Sequence, residues 1–375
     1  MVELPLVSVI IINYNYGRFL RQTVSSVLAQ TYPKIECILV DNASTDESGE
    51  IIAALEAAHD SIKVLRRESN DGQTPASLDG LAASAGQYII FLDADDALLP
   101  RCVETHIFVH LSLRIHVGFT AGDMLQVFSD EVVVSTGEAM NDFIRNGKGR
   151  RPRLFRPYRH PMDPHWPPPE LDGMAEKIFY VPPLSNKWVW SATSGLCYRR
   201  DALLLLSDNE ALAHLRTGTD MYFAHGIGAL CGSVLIDEPL FVYRFHGGNI
   251  YSKRAQLNRT VCYTPGGLGD SNDRARMVLI DQFITRAERF TQTPGLKLNF
   301  VALLFRLDFK DVDRDQPSWA RRSRVASRLV AHFDRVAPIL GRTTTKLLMA
   351  VFGVPLRLIW AAGRTSKIPG TTNKN

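Results

Sequence analysis

The stretch YIIFLDADDALLP, residues 88–100, joins an apolar run to the three aspartates Asp93, Asp95 and Asp96. A continuous run such as YIIFL is typical of a strand that is buried on both faces. Acids at the end of such a strand have two explanations. They bind a cation or a ligand at the edge of a sheet, or they cap the helix that follows. A cap explains Asp96 but not Asp93, which is still on the strand.

The residues before this stretch alternate between strand and helix patterns. Apolar, largely β-branched runs at 7–12, 35–40 and 62–65 predict three more strands. Helices are predicted over 18–30, after the capping-box pattern Ser44–Glu47, and from an N-cap at Thr74 to Gly86. This alternation predicts an α/β fold, with a mostly parallel sheet flanked by helices.

The second half of the chain divides by composition. Residues 145–160 hold six Arg and one Lys without an acid, and seven prolines lie between 152 and 169. This composition predicts a long irregular, solvated loop rather than a packed element. The alternative is a basic segment that faces the phosphates of a lipid-linked acceptor or of a membrane. Regular patterning returns over 188–251, and a mainly helical region follows 275.

Charge and cysteine content exclude several classes of protein. The net charge of +4 over 375 residues is too small to predict nucleic-acid binding by the whole chain. Five dispersed cysteines without a CxxC pair predict a reduced, cytoplasmic protein. The first residues lack a basic region and predict a strand rather than a signal peptide. The apolar run 347–362, fringed by Lys346, Arg364 and Lys367, fits a packed helix or an interfacial helix on the inner face of a membrane equally well.

Polar residues follow all four predicted strands, where ligands bind in doubly wound sheets. They are Asn13-Tyr14-Asn15-Tyr16-Gly17, Asp41-Asn42-Ala43-Ser44, Arg66-Arg67 with Asn70-Asp71-Gly72-Gln73, and Asp93-Ala94-Asp95-Asp96. Neither GxGxxG nor GxxxxGK[ST] follows the first strand, which argues against a dinucleotide clamp and a P-loop. An acid-lined nucleotide site remains. Its Asp-x-Asp pair suits Mg²⁺ or Mn²⁺, which bridges two phosphates of a nucleotide diphosphate.

Several blocks together resemble the family 2 glycosyltransferases of the GT-A fold. SVIIINYN resembles that family's SVIIPTYN, VDNASTDES its VDDGSTDGS, and the segment ending in YIIFLDADD its EYIxFLDADD. SATSGLCYRRDAL and TGTDMYFAHGIGALCGSVLIDEPLFVYRFHGGN resemble blocks near the family's acceptor side. The resemblance covers about residues 5–127 and 188–250.

The resemblance implies an inverting enzyme whose donor is a UDP, dTDP or GDP sugar. Asp41 would hold the base or ribose, and Asp93 would contact the ribose and the metal shell. The predicted nucleotide-sugar site consists of Ile12, Asn13, Tyr14, Asp41, Arg66, Gln73 and Asp93. The acceptor would be a glycan or a lipid-linked molecule, next to Trp190, Ser194 and Gly195.

The resemblance also implies the catalytic and metal-binding roles. Asp95, with Asp93, would ligate Mn²⁺ or Mg²⁺, and Asp220 would be the general base that deprotonates the acceptor hydroxyl. His246 would be a third metal or diphosphate ligand, with a surface loop histidine as the alternative. Asp220 follows Thr219 where the family has Glu, so its role depends on spacing, and the alternative is a helix-start acid. Trp188 and Trp190 would either stack on a sugar ring or lie in the core.

These observations predict a single-addition glycosyltransferase with three regions. Residues 1–250 form the GT-A domain, with a nucleotide half (1–127), a variable basic acceptor-side region (128–190) and a catalytic half (188–250). Residues 251–375 are mainly helical, and 347–362 is either a membrane-associating helix or a helix that packs on the protein. A homo-oligomer is compatible with the sequence. The rival functions are a sugar nucleotidylyltransferase, which needs a glycine-rich loop after the first strand, and a non-catalytic nucleotide-sugar-binding assembly module.

Overall fold

A computed structural model describes residues 2–185, 187–249, 269–309 and 317–363. The chain divides into two compact units, Met1–Ala275 and Arg276–Asn375. The first unit contains a large sheet with helices, and the second is helical.

The first unit alternates strands and helices along its first hundred residues, as the sequence predicts. Its strands are β1 (Val7–Asn13), β2 (Ile35–Asp41), β3 (Ile62–Arg66), β4 (Tyr88–Asp93), β5 (Ala97–Leu98), β6 (Phe119–Phe128), β7 (Glu131–Val134), β8 (Ile178–Val181), β9 (Leu196–Arg199) and β10 (Ser233–Phe245). Its helices are α1 (Gly17–Leu28), α2 (Ser48–Ala58), α3 (Gln73–Ala83), α4 (Cys102–Ser112), α5 (Glu138–Arg145), α6 (Arg200–Leu204) and α7 (Thr219–Cys231). Helix α8 (Gly269–Thr285) spans the boundary between the units.

The ten strands form one sheet in the order β3-β2-β1-β4-β9-β6-β10-β5, with β7 beside β6 and β8 beside β10. The pairs β1–β2, β1–β4, β2–β3 and β6–β10 are parallel. Strand β9 is antiparallel to β4 and to β6, so β4, β6 and β10 all end at the same edge as β1. The predicted α/β class, with a mostly parallel sheet flanked by helices, is confirmed.

Both faces of the sheet are covered, which explains why the strands read as continuous apolar runs. On one face Val9 and Ile11 belong to a core cluster with Leu20 and Val24 of α1. On the other face α3 approaches β1 closely, since a Cβ at Gly80 would be 2.3 Å from Ile10 Cγ2. The close approach therefore requires glycine there.

Two predicted helix starts are wrong, by three residues for α2 and by two for α3. Helix α2 begins at Ser48, and the Ser44–Glu47 capping box does not form. The Asp46 Oδ1 atom instead accepts a hydrogen bond from the Ser48 amide at 3.0 Å. Helix α3 begins at Gln73 rather than after Thr74. The Thr74 hydroxyl does not cap the helix, because it forms a hydrogen bond with the Thr219 hydroxyl of α7 at 2.8 Å. Long-range contacts thus replace the local caps.

The proline-rich stretch is irregular, but the prediction that it does not pack is wrong. Phe155 and Trp166 are buried, and both rings contact Phe108 of α4, at 5.7 and 6.0 Å between centroids. The Arg156 amide donates to the Ser112 carbonyl at the end of α4. This end of α4 precedes β6, so this part of the basic stretch lies at the sheet edge opposite the ends of β1 and β4.

Within its described residues, 276–309 and 317–363, the second unit consists of the rest of α8 followed by five more α-helices. They are α9 (Pro294–Leu307), α10 (Arg324–Ala331), α11 (Phe333–Leu340), α12 (Arg342–Val351) and α13 (Leu356–Ala361). The run 347–362 is therefore not one helix. Gly353, with a φ of 84°, and Pro355 separate α12 from α13. Across the four described stretches of chain, no helix has the length and apolarity needed to span a bilayer.

Candidate active site

The carboxyl ends of β1, β2 and β4 bring the predicted polar residues to one edge of the sheet. In the parallel register Asn13 lies beside Asp41, and Ile12 lies beside Asp93. The sequence pattern and the strand register therefore agree on the location of the site.

Asn13 and Asp41 form a hydrogen-bonded pair at the ends of β1 and β2. The Asn13 Nδ2 atom donates to Asp41 Oδ1 at 2.9 Å and to Ser44 Oγ at 3.0 Å. The Ser44 hydroxyl donates to the same Asp41 oxygen at 2.6 Å. The Asn13 Oδ1 atom is buried without a hydrogen-bond partner, which is unusual for a buried carbonyl. This acceptor beside a carboxylate suits a ligand that donates N–H or O–H groups, as bases and riboses do.

The start of α1 is closed to phosphate. The Gly17 amide, at the first position of the helix, donates to Asp46 Oδ2 at 3.0 Å. A carboxylate thus occupies the place where a phosphate would bind at a helix N-terminus. The loop between β1 and α1 instead turns through Asn15, with a φ of 58°. The prediction that this loop is neither a dinucleotide clamp nor a P-loop agrees with this arrangement.

Asp93 is a carboxyl group surrounded by other acids. Burial, followed by the charges of the nearby Asp95 and Asp220 carboxylates, raises its pKa from 3.8 to about 8. The Gln73 side-chain amide donates to Asp93 Oδ1 at 2.6 Å and opposes this shift. Since like charges gather here, a cation at this edge would be stabilised.

Asp95 contacts the predicted ligand His246. The Asp95 Oδ2 atom lies 2.9 Å from His246 Nε2. On the other side of the ring, His246 Nδ1 lies 3.2 Å from the Arg18 guanidinium and 3.3 Å from the Gly248 amide. These two groups only donate, so Nδ1 accepts and the proton is on Nε2, directed at Asp95. In this arrangement His246 orients the Asp95 carboxylate, and a metal bound at Nε2 would replace this hydrogen bond.

Asp96 is structural, and its alternative role as a helix cap is wrong. It is followed by β5 and is 1% exposed. Its Oδ2 atom accepts from the Ser194 hydroxyl at 2.7 Å, and its Oδ1 atom accepts from the Arg244 amide at 3.2 Å. Burial, followed by the Asp95 and Asp93 charges, raises its pKa well above the usual range. Asp96 thus links β4 to β10 and to the turn before β9.

Asp220 lies in the first turn of α7 and approaches the acidic edge from a different side. Burial raises its pKa, while hydrogen bonds from the Met221 amide and the Thr193 side chain oppose the shift. Its charge contributes to the raised pKa of Asp93, so the two carboxyl groups are near enough to interact. The start of α7 is held against the start of α3 by the contact between the Thr74 and Thr219 hydroxyls.

Three predicted acceptor-side residues are buried beneath the site. Trp190 is 2% exposed, donates to the Ser233 hydroxyl at 2.7 Å and packs in the core, so its ring is not available to a sugar. Ser194 is fully buried and supports Asp96. Gly195 has no room for a side chain, since a Cβ would be 2.4 Å from the Phe241 ring. These residues shape the site from below.

The remaining predicted residues differ in exposure. Ile12 is 7% exposed, whereas Tyr14 is 40% exposed beside the site. Arg66 pairs with Glu56 on the surface, and its side chain is 51% exposed. Its place in the nucleotide site therefore depends only on its position at the end of β3.

Sequence reasoning missed Arg244, and it placed Arg67 at the end of the third strand without giving it a role. The Arg67 guanidinium donates to Asn42 Oδ1 at 2.6 Å and to Asp79 at 2.8 Å, bracing the end of β2. Arg244 is 6% exposed and donates to the Asp95 carbonyl at 2.7 Å. Burial lowers its pKa, and the charges of Asp96 and Asp95 oppose that shift. The available signal in the sequence was the group of acids at 93–96, because buried acids need a positive charge nearby. That signal does not identify which arginine supplies the charge.

The carboxylates fit a divalent cation that is shared with a substrate. In the described part of the chain, no cluster of three or more His, Cys, Asp or Glu side chains could hold a metal ion. Mg²⁺ in nucleotide sites is normally held by only one or two carboxylates together with substrate phosphates. Asp93 and Asp95, with mutual repulsion that a cation would relieve, supply that donor set.

Comparisons with known proteins show which chains resemble this one. Residues 8–112 match Glycosyl transferase family 2. An uncharacterized glycosyltransferase of Nostoc sp. is 31% identical over 255 residues, 66% of this chain and 67% of that protein. Glycosyltransferase GlyG of Streptococcus pneumoniae is 40% identical over 100 residues, 27% of this chain and only 33% of that protein. S. aureus TarS 1–349 in complex with UDP superposes with a TM-score of 0.45 at 16% identity, over 97% of this chain and 93% of that one.

Proposed function

The chain is a family 2 glycosyltransferase of the GT-A fold, and we propose that it moves one sugar from a nucleotide-diphosphate sugar to an acceptor hydroxyl with inversion at the anomeric carbon. The observation that supports this proposal is the position of Asp93 and Asp95 at the carboxyl end of β4, next to the start of α3, against which the start of α7 with Asp220 is held by the Thr74–Thr219 contact. Two of these acids come from β4 and its end, and the third comes from α7.

The ends of β1 and β2 would hold the nucleoside. The unpartnered Asn13 Oδ1 atom and the Asp41 carboxylate offer acceptors to N–H and O–H donors of a base or ribose. Gln73 supports this side of the site by fixing the Asp93 carboxyl at 2.6 Å. The Asp46 carboxylate, which accepts from the Gly17 amide at the start of α1, would disfavour the diphosphate there and leave Asp93 and Asp95 to hold it.

Asp93 and Asp95 would hold Mn²⁺ or Mg²⁺ together with the donor diphosphate. When bound, the cation would neutralise the charge that develops on the departing diphosphate. His246 contributes by fixing the Asp95 carboxylate, with Arg18 on the opposite side of the imidazole ring. The protein thus orients the carboxylates before the donor arrives.

Asp220 would act as the general base. It takes the proton of the acceptor hydroxyl as that oxygen bonds to the anomeric carbon and the bond from carbon to the diphosphate oxygen breaks. Attack opposite the leaving group inverts the anomeric centre. A pKa raised by burial makes the carboxylate a better proton acceptor than an exposed aspartate. The acceptor would be a hydroxyl of a glycan or of a lipid-linked molecule.

A nucleotide-sugar turnover assay tests this proposal. The full chain is incubated with UDP, GDP and dTDP sugars in Mn²⁺ or Mg²⁺, and release of the nucleoside diphosphate is followed with a mixture of glycan acceptors. We expect turnover of one nucleotide class, and about a hundredfold loss in Asp95→Asn, since a site that positions charge loses about that much when one group is removed. The matched control is Asp172→Asn, because Asp172 is exposed in the first unit.

Binding and turnover together decide the outcome. Thermal shifts with each nucleotide show whether the native chain binds it. Binding without turnover by any sugar of that nucleotide would favour the non-catalytic assembly module. Formation of a nucleotide sugar from a sugar phosphate and a nucleoside triphosphate would favour the nucleotidylyltransferase.

A further inference from the structure

The two units carry opposite charge. Residues 276–375 contain 18 Lys and Arg against 7 Asp and Glu, whereas residues 1–275 contain 25 against 32. The mild net charge of the whole chain therefore hides a strongly basic second unit. Such an asymmetry indicates a partner with negative charge for that unit.

Helices α12 and α13 form an antiparallel hairpin in this basic unit. The Arg342 guanidinium at the start of α12 donates to the Gly363 carbonyl just beyond α13, at 2.9 Å. The turn between the helices is closed by the Val354 amide, which donates to the Met349 carbonyl. The hairpin is therefore a defined structure, although each of its helices is short.

The hairpin exposes large apolar side chains in spaced pairs. Leu347 and Val351, four residues apart on α12, are 63% and 58% exposed. Leu356 and Trp360, four residues apart on α13, are 69% and 64% exposed. Residues four apart share one face of a helix. Each helix of the hairpin thus leaves an apolar pair exposed to solvent.

The opposite face of each helix is already used. Leu348 and Met349 of α12 and Ile359 of α13 are buried. Phe352, next to the exposed Val351, stacks on Phe305 of α9 with 4.6 Å between ring centroids. The exposed pairs are thus additional to the core of the second unit, and folding of that unit does not account for them.

We propose that the second unit attaches the protein to an anionic lipid surface, with the face of the α12–α13 hairpin lying in the interface. Leucine, valine and tryptophan on a short helix, with arginine beside them, suit the boundary between headgroups and acyl chains. Arg357, exposed between Leu356 and Trp360, would meet lipid phosphates. The hairpin lies on the surface and does not cross it.

Charge decides between a lipid surface and a second copy of the chain. A symmetric dimer through the hairpin would place two basic units against each other. Like charges across an interface disfavour that association. An anionic bilayer accepts both the apolar side chains and the positive charge. This attachment is independent of the proposed sugar transfer, because it uses residues of the second unit only.

Vesicle sedimentation of the full chain tests the proposal. The probes are vesicles of phosphatidylcholine with about 30% phosphatidylglycerol, and vesicles of phosphatidylcholine alone. We expect binding to the anionic vesicles, with about a tenfold or greater loss for each of Leu356→Ser and Trp360→Ser. Arg357→Glu should weaken binding to the anionic vesicles only. The matched control is Val132→Ser, because Val132 on β7 is 57% exposed in the first unit.

Three results would overturn the proposal. The chain stays in the supernatant with both kinds of vesicle, or Val132→Ser weakens binding as much as Trp360→Ser, or binding is equal with and without phosphatidylglycerol. Sedimentation velocity without lipid tests whether a second copy of the chain binds this face instead. A dimer that Leu356→Ser dissociates, in a chain that ignores vesicles, would assign the face to a second copy. Circular dichroism shows whether each variant is folded, and Leu347→Ser repeats the test on α12.

Discussion

Two buried histidines should make the first unit sensitive to mild acid. His106 and His110 lie one turn apart on α4. His106 Nδ1 is 2.7 Å from the Thr120 hydroxyl of β6, and His110 Nε2 is 3.1 Å from the Cys197 carbonyl of β9. Burial lowers the pKa of His106 from 6.5 to about 3 and that of His110 from 6.5 to about 4. Both side chains are therefore neutral in the folded protein at pH 5.

The direction and size of the effect follow from proton linkage. Folding depresses both pKa values, so between pH 6.5 and 4 the unfolded chain binds more protons, and stability falls as the pH drops through that window. At pH 5 each histidine costs about 2 kcal/mol relative to pH 8, and the two together about 4 kcal/mol. The acids with raised pKa values act in the opposite direction, so a comparison of variants is needed to isolate the histidines.

The perturbation is His110→Gln, which keeps an N–H donor for the Cys197 carbonyl and removes the titration. Urea unfolding of the first unit is followed by tryptophan fluorescence at pH 8 and pH 5. We expect the loss of stability between these two pH values to be smaller by about 2 kcal/mol in the variant. His165→Gln, at an exposed position, is the control and should match the wild type. Equal pH dependence in wild type and His110→Gln would refute the assignment of His110 as a buried neutral group.

Two further substitutions test the packing of each unit. Gly195→Ala should lower the stability of the first unit by about 2 kcal/mol, because its Cβ would meet the Phe241 ring at 2.4 Å; differential scanning calorimetry measures it. Asp281→Asn should destabilise the second unit by about 2 kcal/mol, because the largely buried Arg324 and the neighbouring Arg328 lose their shared partner; urea unfolding measures it. Unchanged transitions would contradict these two readings.

Each of these substitutions has a matched control. Gly49→Ala also adds a methyl group in the first unit, where a Cβ would have no atom within 4 Å. Asp334→Asn removes an exposed acid of the second unit. Asp334→Asn should leave its transition within about 0.5 kcal/mol of the wild type. Gly49→Ala should not lower stability, because Gly49 lies in α2 and alanine favours a helix over glycine.

The nucleotide half of the fold could be read from the sequence because its signals are local. Strands β1 to β4 are continuous apolar runs, and the observed strands extend the predictions by a single residue. Their parallel register then brings Asn13, Asp41 and Asp93 together, as a doubly wound sheet requires. For this part the periodicity of the chain was sufficient.

The parts that could not be predicted depend on contacts between distant residues. Asp96 is satisfied by Ser194 and Arg244, which lie 98 and 148 residues away. Trp166 lies in a proline-rich stretch whose composition predicts a solvated loop, yet its ring packs on Phe108. Local patterns describe the backbone of a segment, whereas burial of an irregular segment depends on the surface that it meets.

The capping residues illustrate the same limit. Ser44 reads as the start of a capping box, but in the fold its hydroxyl donates to Asp41 and accepts from Asn13. A tertiary hydrogen bond thus replaces a helix cap at the edge where the nucleoside is expected. The competing partner could not be seen until β1 and β2 were adjacent.

The role of Asp220 as general base is tested most directly by measuring sugar transfer and donor binding in parallel for Asp220→Asn. The substitution keeps the size of the side chain and removes its ability to accept a proton. We expect a loss of about 10² to 10⁴ in kcat, with the donor Kd within about twofold of the wild type. Transfer within about threefold of the wild type, or loss of donor binding together with transfer, would contradict the role of Asp220 as general base.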